Sequence, residues 1–513
     1  MPPSIRHALL FLTVSVLAHA APGFESISPA GGQVGTQFEV RVAGKGLDKG
    51  APQAWCSNAG VKITPGAKAG LWTVVIGQDA APGPCLVRFY HDEGATPPRI
   101  FEVGTLEEVL ETEPNDAFKD VKAAAAAPAV PRMNTTCNGA LAKDADVDIW
   151  ALRVQKGRAI TLRLHGYALG SPMDPAMRLL DARGVEVAAS HDTHNLDPEI
   201  RHTPASDGVL YVQVFAFVHP PQADVAFKGS ANHVYRLHVT DSEQAPAVPA
   251  TASAPQTPPF VFTGIVPAPA AEAVHLLTAR KGDDLQVTVQ AKAIHSPLEA
   301  VLRIESAEGK ILAQSDDAQS ITSGNSASAL DPALRWKAPA DGTYKMVIGD
   351  RFQNGGPAHR YGLSVQPWKP SVSAQLDTHA YRMEAGKIEE VKLTVKFDGT
   401  YPQKLRAHVS GLPPGVTAGD VDVPEKGGEV KVPLRAAADA TPAQVPISIV
   451  LLPAADSSVA ASEPPPAVAT ATYPIPFAEL RGDLLVVSDG RPWLTVAKGP
   501  ASAAKSAGGK DAK

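Results

Sequence analysis

Short runs in which apolar and polar residues alternate recur along most of the chain. Phe38-Glu-Val-Arg-Val42 and Trp72-Thr-Val-Val-Ile76 come first, and a period of two marks a half-buried strand. Ile149-Trp-Ala-Leu-Arg-Val154, Ile160-Thr-Leu-Arg-Leu164, Leu210-Tyr-Val-Gln-Val214 and Tyr235-Arg-Leu-His-Val239 follow. Glu390-Val-Lys-Leu-Thr-Val-Lys396, Glu429-Val-Lys-Val-Pro-Leu434 and Val445-Pro-Ile-Ser-Ile-Val450 come later. Pro-Gly pairs at 65–66 and 82–83 and the run Gly411-Leu-Pro-Pro-Gly415 punctuate them as turns. Thr105-Leu-Glu-Glu-Val-Leu-Glu111 predicts a brief turn of helix, and Leu484-Leu-Val-Val487 a buried strand. The pattern predicts an all-β protein, a string of β-sandwich or jelly-roll units.

The N-terminus departs from this pattern. Arg6-His7, an apolar run over Ala8–Leu17 and Ala18-His-Ala20 have the layout of a cleavable export signal, residues 1–20. The run falls short of the ~20 residues that span a bilayer. No later run is long enough, so the chain is expected to be soluble after cleavage. Its destination is then the periplasm, the cell surface or the medium. Strand runs and breaks divide the rest into units at 21–105, 106–241, 259–368 and 369–497. A Pro/Ala-rich linker over 242–258 and a disordered tail over 498–513 complete it. The Ser/Ala/Pro-rich 455–467 reads as a mobile loop. The third unit repeats the second: Leu196-Asp-Pro returns as Leu330-Asp-Pro, Asp207-Gly208 as Asp341-Gly342, and Gly157 and Gly184 as Gly282 and Gly309.

Composition narrows the function. The 513 residues include 42 Gly and 47 Pro, which suits many turns rather than long helices. A net charge of −6 argues against nucleic acid or a polybasic grip on membranes. With three cysteines this is not a disulfide scaffold; Cys56 and Cys85 could pair after export, leaving Cys137 as a buried hydrophobe. The chain has no Gly-x-Ser-x-Gly elbow and no His-Glu-x-x-His. His191-Asp-Thr-His194 reads as a polar loop rather than a metal site. Arg481-Gly-Asp483 is a short motif that chance supplies, and Trp55, Trp72, Trp150 and Trp336 read as core.

Residues 106–241 resemble a bacterial pre-peptidase C-terminal (PPC) domain. Glu113-Pro-Asn-Asp116, Asn138-Gly139, Asp146-Val-Asp-Ile-Trp150, Gly170-Ser-Pro172, Leu196-Asp-Pro198 and Asp207-Gly208 with Tyr211 carry the likeness. Residues 259–368 resemble a diverged second copy. Ile27-Ser-Pro-Ala-Gly-Gly32 is similar to the opening of IPT/TIG immunoglobulin-like domains, and the turn at Gly411–Val416 resembles those of Ig-like sandwiches of exported bacterial proteins. The PPC resemblance implies a compact antiparallel sandwich that accompanies secreted proteins. Some relatives, the collagen-binding modules of clostridial collagenases among them, bind calcium and extracellular protein.

Calcium takes six to eight oxygens from carboxylates, amides and backbone. Glu111, Glu113, Asn115 and Asp116 offer oxygens within one short segment, and the resemblance adds Asp148, at the start of the first core strand. Asp144 and Asp146 lie nearby, off the family spacing. The third unit has Ala273 where the second has Asp148, Ala271 where it has Asp146, and Gln256-Thr-Pro-Pro-Phe260 instead of the acidic run. The alternative is that Glu113-Pro-Asn-Asp116 is a solvated turn with Asx capping; if the acids do hold calcium, it is expected in the second unit alone. The expected function is non-catalytic: an exported binding or adhesion protein whose partner is an extracellular or cell-envelope protein or polysaccharide. The alternatives are an accessory subunit of a secreted hydrolase system and a cryptic hydrolase.

Overall fold

The computed structural model describes residues 21–48, 51–124, 132–194, 196–218, 226–241, 254–294, 296–317, 331–454, 466–475 and 484–499. The export signal, most of the linker, the Arg481-Gly-Asp483 motif, most of 455–467 and nearly all of the tail lie outside them. The described chain is all-β; its α-helix, Phe118–Ala124, is one short element. No helix among these residues is long and apolar enough to cross a membrane.

In the first unit, strands Ser26–Ser28, Gln37–Ala43, Leu71–Ile76 and Val61–Pro65 form one sheet. Gly31–Gln33, Arg99–Gly104, Gly83–His91 and Gln53–Cys56 form the other. The second unit has a 5-stranded sheet in the order Glu107–Leu110, Thr135–Ala140, Val234–Asp241, Ile160–His165, Glu199–His202. A 4-stranded sheet, Asp148–Val154, Gly208–Phe217, Asp174–Leu180, Glu186–Ser190, lies against it. Alternation sorts the faces. Ile160, Leu162 and Leu164 are buried in the core with Tyr235 and Leu237, while Thr161, Arg163 and His165 point the other way.

The third unit repeats the second except that the edge strand Glu107–Leu110 has no counterpart in its sheets. Its sheets run Phe260–Ile265, Arg360–Pro367, Asp284–Gln290, Ala333–Lys337 and Ala273–Ala279, Gly342–Asp350, Ala300–Glu305, Ile311–Ser315. A register shift falls at Leu179/Leu180 in one copy and Ile304/Glu305 in the other. The shared motifs have shared work. Asp207 Oδ1 accepts the Lys156 N–H and Asp341 Oδ1 the Lys281 N–H, each at 2.7 Å. Asp197 accepts from Gly166, Tyr167 and Ala168, and Asp331 from Ala291 and Lys292, at the matching 3-10 turns.

Several local expectations are corrected. Residues 107–110 are a strand, not a helical turn: they pair in parallel with Thr135–Ala140, with Val109 packed on the core and Glu108 turned outward to Asn138 and Arg236. An open sheet edge outweighed local helix preference. Val445–Val450 is two strands, because the chain changes sheets at buried Ile447: Ala443–Pro446 pairs with Trp493–Ala497 and Ser448–Pro453 with Leu405–Ser410. Leu484–Val487 forms no strand; Leu484 is buried, and the Leu485 N–H is donated to Ala168 O of the second unit. The described end of the linker is docked, with Gln256 bridged to Leu277.

The units are in order along the chain, yet the fourth meets the first. Arg88, fully buried, donates to Tyr473 Oη at 2.6 Å and to His379 O at 3.3 Å. Its guanidinium lies over the rings of Trp55 and Trp493. Trp55 is thus half-buried at this seam, whereas Trp72, Trp150 and Trp336 are core residues. The first unit also covers the outward face of the second unit's 5-stranded sheet, where fully buried Arg236 binds Glu102 and Glu108.

Candidate metal centre

The acidic segment 111–116 runs along the entry to the second unit and meets the strand Asp148–Val154, with the Ile149 N–H donated to Asn115 O. Carboxylate oxygens of Glu113, Asp116, Asp146 and Asp148 come within 4.8 Å of one another. Asp146 and Asp148 are fully buried. Asp148 Oδ2 accepts from Tyr235 Oη at 2.7 Å, and Tyr235 Oη accepts from Trp150 Nε1 at 2.9 Å. Asp146 Oδ2 accepts the Ala142 N–H.

Two oxygens in this group, Asp116 Oδ1 and Asp146 Oδ1, are buried and accept no hydrogen bond. Lys143 Nζ lies 3.5 Å from Asp146 Oδ1 and from Asp116 Oδ2, on a side chain 65% exposed. An exposed ammonium is a poor match for four converging carboxylates. One end of the Asn115 amide lies 2.9 Å from Glu113 Oε2 and 3.2 Å from Asp148 Oδ1. With its nitrogen inward it donates to both; turned over, its oxygen joins the acceptors.

Glu111 stands at the rim. Both its oxygens accept the Ala140 N–H at 3.0 Å, which ties the segment to the end of the strand Thr135–Ala140. Burial, then the neighbouring Asp148 charge, pushes Glu111 up to about 9, and burial pushes Asp148 up to about 7. Crowded acids share protons when no cation lies among them. The structure thus gathers Glu113, Asn115, Asp116 and Asp148, adds Asp146, and leaves Glu111 outside the four-carboxylate group. Asp144 faces away, toward Lys228 and the Gly229 N–H. Asp146, two positions before the strand and off the family spacing, is brought back beneath Ala142 by the loop. In the third unit the equivalent tyrosine, Tyr361, bonds His275 at 2.7 Å, and Ala273 leaves no acid there.

The other singled-out residues do not form sites together. His191 pairs with Asp192, and His194 Nε2 with Glu199 at 3.0 Å. Cys56 and Cys85 face each other as free thiols with Sγ atoms 3.5 Å apart, and Cys137 is fully buried. The two cysteines that could pair are thus neighbours.

No protein-family model matches the chain, and no curated protein matches it. Among solved structures it is similar to the Bacteroides ovatus mixed-linkage glucan utilization locus SGBP-B in complex with a mixed-linkage heptasaccharide. Identity is 8%, covering 68% of this chain and 75% of that one, with a TM-score of 0.16. It is also similar to trypsin-activated alpha-2-macroglobulin from Escherichia coli at 11% identity, over 85% of this chain and 33% of that one, TM-score 0.15. The surface layer protein SbsC, domains 1-6, matches at 11% identity over 94% and 55%, TM-score 0.15. These likenesses concern β-rich architecture and no more.

Proposed function

We propose that the chain is a non-catalytic, exported multidomain binding protein whose second unit is held in shape by calcium. The convergence of Glu113, Asp116, Asp146 and Asp148 around two buried oxygens that accept no hydrogen bond carries this reading. Hard oxygen donors with no nitrogen or sulfur ligand suit calcium above softer metals. An ion there would cross-link segment 111–116 to the first core strand and replace the Lys143 ammonium. The PPC-like motifs and the signal-like N-terminus support an extracellular or cell-envelope partner, protein or polysaccharide. The β-sandwich units serve as a rigid frame for binding surfaces.

Calcium at 100 times its dissociation constant stabilises the unit it binds by about 2.7 kcal/mol. Scanning the full chain with calcium and with a chelator is expected to move one melting transition upward by several degrees. Asp146→Ala and Asp148→Asn are expected to remove the response. A melting curve that ignores calcium in the wild-type chain refutes the reading.

A further inference from the structure

At the seam between the first and second units, two imidazoles and a carboxylate converge. Glu102 lies on the strand Arg99–Gly104, His165 ends the strand Ile160–His165, and His238 lies on Val234–Asp241. His165 Nδ1 is 3.4 Å from Glu102 Oε2, His238 Nε2 is 3.3 Å from the same oxygen, and the two nitrogens are 3.2 Å apart. These separations exceed the ~2.9 Å of a well-formed N–H···O bond. Tetrahedral zinc, with bonds of about 2.0–2.1 Å, sets neighbouring ligand atoms about 3.3–3.4 Å apart; octahedral bonds of that length give only about 2.9 Å.

We propose that Glu102, His165 and His238 form a tetrahedral transition-metal site, with zinc as its natural occupant, that clamps the first unit to the second. Two imidazoles and one carboxylate are a donor set zinc accepts, with the fourth position left to water or a ligand. The partners around the triad suit that role. Thr136 Oγ1 is 3.1 Å from His238 Nδ1, which orients the ring so that Nε2 faces the metal. Arg236 Nε donates to Glu102 Oε2 at 2.9 Å, and its other nitrogens bond Glu108 and Asn138. Glu102 and Glu108 together outweigh this one guanidinium; of the other arginines lining the groove, Arg163 and Arg201 are turned to Glu199. All three ligands line a groove of about 630 Å³, through which the ion and a fourth ligand can enter.

The test is cobalt(II) added to the metal-free full chain, with calcium in excess to fill the acidic centre. One equivalent is expected to give the intense blue absorption of tetrahedral cobalt, and zinc to bleach it. His165→Asn and His238→Asn are each expected to abolish the colour; Asp146→Ala is expected to keep it. Thr136→Val, a positioning change, is expected to weaken binding about ten- to hundredfold while leaving the spectrum tetrahedral. A pale octahedral spectrum that does not saturate, or an unchanged spectrum in His238→Asn, overturns the site. The wild-type measurement decides even if a variant fails to fold.

Discussion

Single carboxylates do much of the organising at the residue scale. Asp197 is almost fully buried and accepts N–H groups from Gly166, Tyr167 and Ala168, closing the turn that follows a core strand. Asp197→Ala strands those donors, each worth about 1–3 kcal/mol when buried and unpaired. We expect a loss of about 3 kcal/mol or more in urea unfolding of the second unit, and a smaller loss for Asp331→Ala in the third. A loss below about 1 kcal/mol for Asp197→Ala would show that water enters and satisfies the turn. The Leu-Asp-Pro motif was legible in the sequence as a repeat marker. Its role was not, because the N–H groups it caps lie some thirty positions earlier and meet it only after folding.

Elements explain a second motif, Asn-Gly. Gly139 lies opposite Tyr235, and a Cβ there would stand 2.3 Å from the tyrosine oxygen. Gly264 and Tyr361 have the same relation at 2.4 Å. The strand passes directly over the phenol, so only glycine fits. Gly139→Ala and Gly264→Ala are each expected to cost about 1–3 kcal/mol by overpacking, read as lowered melting of the respective unit; unchanged melting of both sinks the account. Strands with strict alternation, such as Ile388–Asp398 and Ile160–His165, were legible because one face of each enters a core. Glu107–Leu110 was hidden by its acids, since the partners of Glu108, Arg236 and Asn138, are far along the chain. Of the acidic centre, the segment could be read directly and Asp148 through the PPC resemblance. Asp146 could not, since its inclusion depends on how the 141–147 loop closes. Glu102, His165 and His238 left no local signature, because three separate strands supply them.

Across the whole molecule, the seam between the first and fourth units is sensitive to acid. Burial, then the Arg88 guanidinium, pushes His379 down to about 4, and its Nδ1 is buried without a partner. The unfolded value is about 6.5. A folded value below it means the neutral ring contributes stability that is present above about pH 6.5 and is lost as pH falls toward 4, on the order of 3 kcal/mol in all. Melting followed from neutral to mildly acid pH is expected to fall more steeply in the wild-type chain than in His379→Gln; parallel curves count against this. The same seam has a consequence for how the molecule is made. Arg88 finds its partners 291 and 385 positions downstream. A ribosome releases the amino end first, so the early product displays a naked cation beside the Trp55 ring until the last unit is delivered. Maturation of the first unit is thereby tied to the arrival of the last, and a prematurely terminated copy carries its own adhesive flag for quality-control proteases.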